Sequence, residues 1–257
     1  MLSFDGKRIL VTGGSRGIGR ATVAAFLERG AHVALNGSSE SSTQAAIDAL
    51  APREGQQLIA VPGDVGSVEG CRAIVAAAVE GLGGLDVLVN SAGVGWLGHL
   101  AEFEEESWDR MLDINLKGTF FCCQAALPHL QASGGNIVNL GSDAGLMGDA
   151  GLSAYCASKG GVVNMTRSLA LELAPNVRVN VVCPGFVDSD MTRRDGIEQA
   201  DDPAAYERAM MDFAPLKRMG MPHEIAMAII YLAGEDAGFV TGAALQIDGG
   251  STAGHPQ

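Results

Sequence analysis

The chain has 257 residues, of which 47% are hydrophobic and 18% charged, a balance that suits one α/β domain able to bury a sizeable core. Its formal net charge of −13 opposes general attraction to nucleic acid or to an anionic membrane, both of which need a basic face. Five cysteines in no metal-ligand spacing point to small buried side chains rather than a disulfide framework or a metal site.

The first element is a strand, Lys7 to Thr12, followed directly by the glycine loop Gly13-Gly-Ser-Arg-Gly-Ile-Gly19 and an Ala-rich helix from Arg20 to Arg29. Strand, glycine turn and helix is the order a phosphate site needs. Glycines let the backbone approach a pyrophosphate, and a helix N-terminus offers unpaired N–H groups and the positive end of its dipole. Gly13, Ser15, Arg16, Gly17, Ile18 and Gly19 are therefore the expected pyrophosphate and ribose contacts.

A second strand, Ala31 to Asn36, ends at Gly37-Ser38-Ser39, where an acid would bind the ribose 2′-hydroxyl of NAD and small hydroxyls with a cation would suit a 2′-phosphate. With no acid before Glu40, and with Arg16 in the loop, Arg16, Ser38 and Ser39 favour NADP over NAD. Two other roles stay open here. Ser38 and Ser39 could cap the helix Ser41 to Leu50, and Arg16 could be a solvated charge.

After the strand Gln57 to Val61, Asp64-Val65 offers either an acceptor for the adenine amino group or a cap for the helix Ser67 to Leu82. The strand Leu85 to Asn90 is apolar almost throughout, as in a parallel sheet covered on both faces. It runs into Ser91-Ala92-Gly93, small enough for a flat cofactor to lie against the backbone, with Asn90, Ala92 and Gly93 as expected contacts. A helical region from Glu102 to Gln131, broken only by Pro128, carries Asn115 midway, where an amide is a poor helix former.

The strand Asn136 to Leu140 leads to Ser142, and 13 positions later come Tyr155 and Lys159, four apart and so on one face of a helix that runs to about Ala174. A hydroxyl, a phenol and an ammonium could thus meet one carbonyl oxygen. A phenol of pKa about 10 trades protons poorly near neutrality, and a fixed positive charge at Lys159 is expected to lower that value. The strand Asn176 to Cys183 closes on Pro184-Gly185. Residues 188–213 read as a mobile substrate lid, before the helix Pro222 to Ala233 and a last strand, Ala243 to Ile247.

Thr12-Gly13-x-x-x-Gly17-x-Gly19, Asp64, Asn90-Ser-Ala-Gly93, Asn115, Ser142, Tyr155-x-x-x-Lys159 and Pro184-Gly185 occur in order over essentially the whole chain. The pattern resembles the short-chain dehydrogenase/reductase family in its compact single-domain form, near the 3-oxoacyl-carrier-protein reductases. Ser91 stands where that family often has a second Asn, and Ser189 where it often has Thr beside the nicotinamide carboxamide.

The resemblance implies a Rossmann-like doubly wound parallel sheet of about seven strands with helices on both faces, and a homotetramer packed through the regions of Phe120-Phe121 and Gly160-Gly161. It implies Tyr155 as general acid/base, Ser142 holding the substrate oxygen, Lys159 binding the nicotinamide ribose, and Asn115 positioning a relay water. Val187 and Ser189 join Pro184 and Gly185 at the nicotinamide, and no metal is needed. The expected activity is hydride transfer between nicotinamide and a small carbonyl or alcohol in the cytoplasm. The alternatives are a 3-oxoacyl-[acyl-carrier-protein] reductase and a non-catalytic NADP-binding sensor. The run 119–135 contains no Lys or Arg to dock an acidic carrier; Arg193, Arg194, Arg208, Lys217 and Arg218 near the lid could form a different basic patch.

Overall fold

The computed structural model describes residues 2–254. Seven parallel strands form one sheet: β1 (Arg8–Thr12), β2 (His32–Leu35), β3 (Leu58–Ala60), β4 (Val87–Asn90), β5 (Asn136–Leu140), β6 (Arg178–Pro184) and β7 (Ala244–Ile247). Their order is β3-β2-β1-β4-β5-β6-β7. The chain winds outward from β1 to β3, then returns to lay β4 on the other side of β1. This reversal opens a crevice beyond the C-terminal ends of β1 and β4, where ligands bind in sheets of this kind.

Alternation along the buried strands splits the core in two. Ile9 and Val11 of β1 face α1 (Gly17–Leu27), α2 (Glu40–Asp48) and α9 (Pro222–Ala233), packing with Phe26, Ala46, Ile225 and Ile229. Leu10 faces the other way, toward α3 (Val68–Leu82), α5 (Thr119–Ser133) and α6 (Ser153–Leu173), with Ile74, Leu130 and Ala170. Both faces are covered, which is why the strands read as continuous apolar runs. Arg8 fixes the start of the crevice strands by donating from Nε and Nη2 to Asp86, at 2.8 and 3.0 Å.

Two expectations are corrected. Helix α1 begins at Gly17 rather than Arg20, so the end of the glycine loop is itself the first helical turn. The region expected as one helix broken at Pro128 is α4 (Glu105–Leu112), a π-helical turn (Asp113–Gly118) and α5, and Pro128 lies inside α5. The amide that Pro128 lacks would have bonded the carbonyl of Gln124, an exposed residue, so water can replace it and the helix continues. The wide turn instead falls around Asn115, where the Thr119 hydroxyl donates to the Asn115 carbonyl at 2.8 Å.

The segment expected as a lid contains α7 (Asp190–Arg194), a 3₁₀ turn (Ile197–Gln199) and α8 (Pro203–Phe213). It is less polar in effect than its composition suggested. Ile197, Met210 and Met219 form a small apolar cluster with Phe186 and Tyr206, and Arg193 ties Asp188 to Glu207.

Candidate active site

The ends of β1, β4, β5 and β6, with one face of α6, enclose a cavity of about 410 Å³. Gly13, Ser15, Arg16, Gly17, Ile18, Gly19, Ser38, Asp64 and Val65 line one end. Ser142, Tyr155, Lys159, Pro184, Gly185 and Val187 line the other, with Ala92 and Gly93 between them, and Ser189 lies across from Gly17.

At the first end the glycines are structural necessities. Gly13 has a φ of +65°, and a Cβ there would come within 2.6 Å of Ala92 Cα. Loop and strand end can approach this closely only without a side chain. Arg16 precedes α1 without capping it through its side chain, and the first turn contains no acid, so the helix dipole faces the cavity unneutralised.

Asp64 is not the cap of α3. Ser67 fills that role by accepting from the Gly70 N–H at 3.0 Å. Asp64 accepts from the Gly66 N–H at 2.9 Å and pairs with Arg110 of α4 at 2.9 Å, and the Arg110 hydrogen bond holds its carboxyl below the usual range. Nothing in the sequence marked Arg110, because the pairing spans two distant elements.

Three expected contacts lie elsewhere. Ser39 is the cap of α2, accepting from the Ser42 N–H at 3.2 Å, and does not line the cavity. Asn90 is 2% exposed and turned into the core, donating to Asn139 at 2.9 Å, while Asn139 donates to Thr166 at 2.9 Å. That chain of amides ties β4 to β5 and α6, so Asn90 supports the crevice from below. Asn115 does not line the cavity either. Its amide accepts from the Val94 N–H and donates to the Val94 carbonyl, both at 2.8 Å, and donates to Ser158 at 3.0 Å.

The chemical end is dense and largely buried. Lys159 is 3% exposed, its Nζ donates to the Leu140 carbonyl at 2.9 Å, and it sits 5.7 Å from the centre of the Tyr155 ring. Burial lowers the Lys159 ammonium to about 8. Burial pushes the Tyr155 phenol up to about 12, with a nearby Ser142 hydroxyl working against that rise and the Asp143 carboxylate adding to it. Lys159 is not among the groups that shift the phenol: its ammonium lies over the ring and donates to the Leu140 carbonyl, and loss of solvent dominates.

Ser142 begins a 3₁₀ turn (Asp143–Gly145), and its hydroxyl accepts from the Ala144 N–H at 3.2 Å while donating to Asp143 at 3.0 Å. Asp143 stands beside Ser142 in the sequence, and its third partner, Ser251, lies 108 residues away.

These features accommodate a dinucleotide. The cradle at Gly13 admits no side chain, the N-terminus of α1 faces an anion's position, and the cavity runs from Asp64 to Tyr155. Among the described residues no group of His, Cys, Asp or Glu is arranged to hold a metal ion. A parallel sheet with such a crevice, ending on a phenol, an ammonium and a hydroxyl, defines an oxidoreductase of the dinucleotide-binding α/β class.

Comparison with known proteins narrows the class. The family described as enoyl-(acyl carrier protein) reductase matches residues 13–252. A 3-oxoacyl-[acyl-carrier-protein] reductase of Vibrio cholerae is 38% identical, over 97% of this chain and 98% of that protein. A 2-(S)-hydroxypropyl-CoM dehydrogenase of Xanthobacter autotrophicus is 39% identical, over 95% and 96%. The crystal structure of a short-chain dehydrogenase/reductase from Brucella melitensis, described as a glucose/ribitol dehydrogenase, superposes with a TM-score of 0.89 at 36% identity, covering 97% of this chain and 98% of that one. The chain belongs to the short-chain dehydrogenase/reductase family, with a resemblance to the 3-oxoacyl-carrier-protein reductases.

Proposed function

We propose that the protein transfers a hydride between NADP(H) and a small free carbonyl or alcohol. The observation that carries this reading is the meeting of Ser142, Tyr155 and Lys159 at one end of a cavity whose other end has Arg16 and Asp64. When bound, the nicotinamide supplies or accepts the hydride. With its phenol raised to about 12, Tyr155 is protonated at neutral pH and serves as the acid that delivers a proton to the carbonyl oxygen. Ser142 holds that oxygen and steadies the charge that develops on it. Lys159 binds the nicotinamide ribose. Asn115 keeps the Val94 loop in place and positions the relay water through the widened turn around it.

The NADP preference rests on Arg16 and Ser38 alone, since the Ser39 hydroxyl is occupied in capping. Gly37, the natural place for a discriminating carboxylate, has no room for one: a Cβ there would come within 2.5 Å of the Thr43 hydroxyl. Five free thiols support a reducing, cytoplasmic compartment.

Identity to the Vibrio cholerae protein favours a second reading, a 3-oxoacyl-[acyl-carrier-protein] reductase. Charge supports the first. Of the five lid cations, Arg193 is paired with Asp188 and Glu207, Arg218 with Glu224 and Lys217 with Asp212, which leaves Arg194 and Arg208 without an ion pair among the described residues. An acidic carrier would meet a protein of charge −13 with little basic surface to dock on. Comparing kcat/KM for a 3-oxoacyl carrier protein and a matched free ketone at two salt concentrations separates the readings. A higher value for the ketone is expected; a strong carrier preference that weakens with salt would establish the second.

A further inference from the structure

Asp143 is an unusual group to find beside a hydroxyl that must donate to substrate. It is 8% exposed, and both carboxylate oxygens are occupied: Oδ1 accepts from the Ser142 hydroxyl at 3.0 Å and from the Ala144 N–H at 2.8 Å, while Oδ2 accepts from the Ser251 hydroxyl at 3.0 Å. Gly185 forms the adjoining wall, where a Cβ would stand 3.2 Å from Oδ2. No Lys, Arg or His forms an ion pair with Asp143 among the described residues.

A serine hydroxyl has one proton. If Ser142 gives it to Asp143, Ser142 cannot give it to a substrate oxygen. We propose that Asp143 is a positioning residue that sets the direction of the Ser142 proton, holding it when ionised and releasing it to the substrate oxygen when protonated. In the released state a proton from solvent sits on Asp143, its O–H donates to Ser142 Oγ, and the Ser142 O–H turns into the cavity. No covalent bond to carbon changes and no electron moves. The proposal rests on the reading of Ser142 as the group that holds the substrate oxygen.

The surroundings shift the titration of Asp143 upward from that of an ordinary carboxyl. Burial raises the Asp143 carboxyl, and the hydrogen bonds from Ser142, Ser251 and Ala144 oppose that rise. The titratable groups facing it are Asp248 after β7, which adds to the rise, Tyr155 on α6 and Cys183 on β6. Lys159, also on α6, directs its ammonium to the Leu140 carbonyl.

The test has two arms. In the first, kcat/KM for carbonyl reduction is followed against pH in wild type, Asp143→Asn, Ser142→Ala and the double variant. Wild type should lose roughly fivefold or more as pH rises above the ordinary carboxylate range, because a carboxylate competes for the Ser142 proton more strongly than a neutral amide does. Asp143→Asn should flatten that limb, and in the Ser142→Ala background it should change nothing. Should Asp143→Asn fold poorly, Ser251→Ala serves instead and should move the limb to higher pH. A limb that survives Asp143→Asn, or an effect of equal size without Ser142, overturns the proposal.

The second arm needs no substrate. Infrared difference spectra should contain a protonated-carboxyl band that is lost in Asp143→Asn, and Ser142→Ala should move its midpoint to higher pH, since a donor to the ionised form is removed. A midpoint unmoved by Ser142→Ala overturns the proposal. If wild type reduces no carbonyl at all, the functional reading fails while this arm still decides the coupling of Ser142 to Asp143.

Discussion

Lys159 brings a positive charge into a site that excludes water, and the cost is visible in its pKa, lowered from 10.5 to about 8. A lysine whose folded pKa is depressed carries fewer protons folded than unfolded between those two values, so its penalty is full below pH 8 and fades as pH rises toward 10.5. The shift corresponds to about 3 kcal/mol. Lys159→Met should therefore gain stability relative to wild type at pH 7, and that gain should shrink by roughly 2 kcal/mol by pH 10 as the wild-type lysine deprotonates. Denaturant melts at the two pH values check this; a gap independent of pH would show that the ammonium is not buried as described. At the same scale, Arg16→Ala with Ser38→Asp should move the kcat/KM preference toward NAD(H), since a cation is removed and a carboxylate enters the cavity wall. An unchanged ratio would remove both residues from the cofactor's 2′ position. That these side chains would line one cavity was legible in the sequence from their spacing and their glycine neighbours. Asn90 was misread because a strand-end amide looks the same whether it faces the crevice or the amide chain beneath it.

The element that most shapes the crevice is the continuous α4–π–α5 rod. Asn115 signalled it only as a poor helix former, and a widened turn leaves no periodic trace over six residues. Its tertiary reason is Gly118, where a Cβ would come within 2.5 Å of the Val65 carbonyl. The rod thus lies against the Asp64-Val65 loop with no space for a methyl group. Because the obstacle is backbone, Gly118→Ala should cost about 1–3 kcal/mol. It should also weaken cofactor binding by displacing Val65, as read from a urea midpoint and a fluorescence titration; a variant as stable as wild type would mean the loop yields freely. The strands were easier to anticipate. Burial on both faces makes them apolar throughout, and six of the seven fall within the expected stretches while β6 runs one residue further, to Pro184, whereas the starts of α1 and α4 depend on loop contacts that no local pattern carries.

For the whole molecule, the homotetramer remains a proposal, and two exposed aromatic side chains are where it is tested. Trp108 on α4 and Phe120 on α5 are 42% and 39% exposed, and Phe120 packs edge-on against Phe121 at 5.2 Å. Gly161 is used within the chain instead, since a Cβ there would come within 2.8 Å of Leu116. Light scattering should give four chains, and Phe120→Glu should reduce that number; a monomer in wild type would make the exposed aromatics features of the isolated chain. The central claim, however, is chemical: a hydride oxidoreductase in which Tyr155 moves the proton. Its most direct test is carbonyl-dependent oxidation of NADPH, measured over a panel of ketones, aldehydes, sugars and 3-oxoacyl thioesters, for wild type and for Tyr155→Phe with cofactor affinity measured in parallel. Wild type should turn over at least one free carbonyl, and the variant should bind cofactor normally while losing nearly all turnover. A variant that kept more than about a tenth of the wild-type rate, a barrier change below roughly 1.4 kcal/mol, would contradict the account.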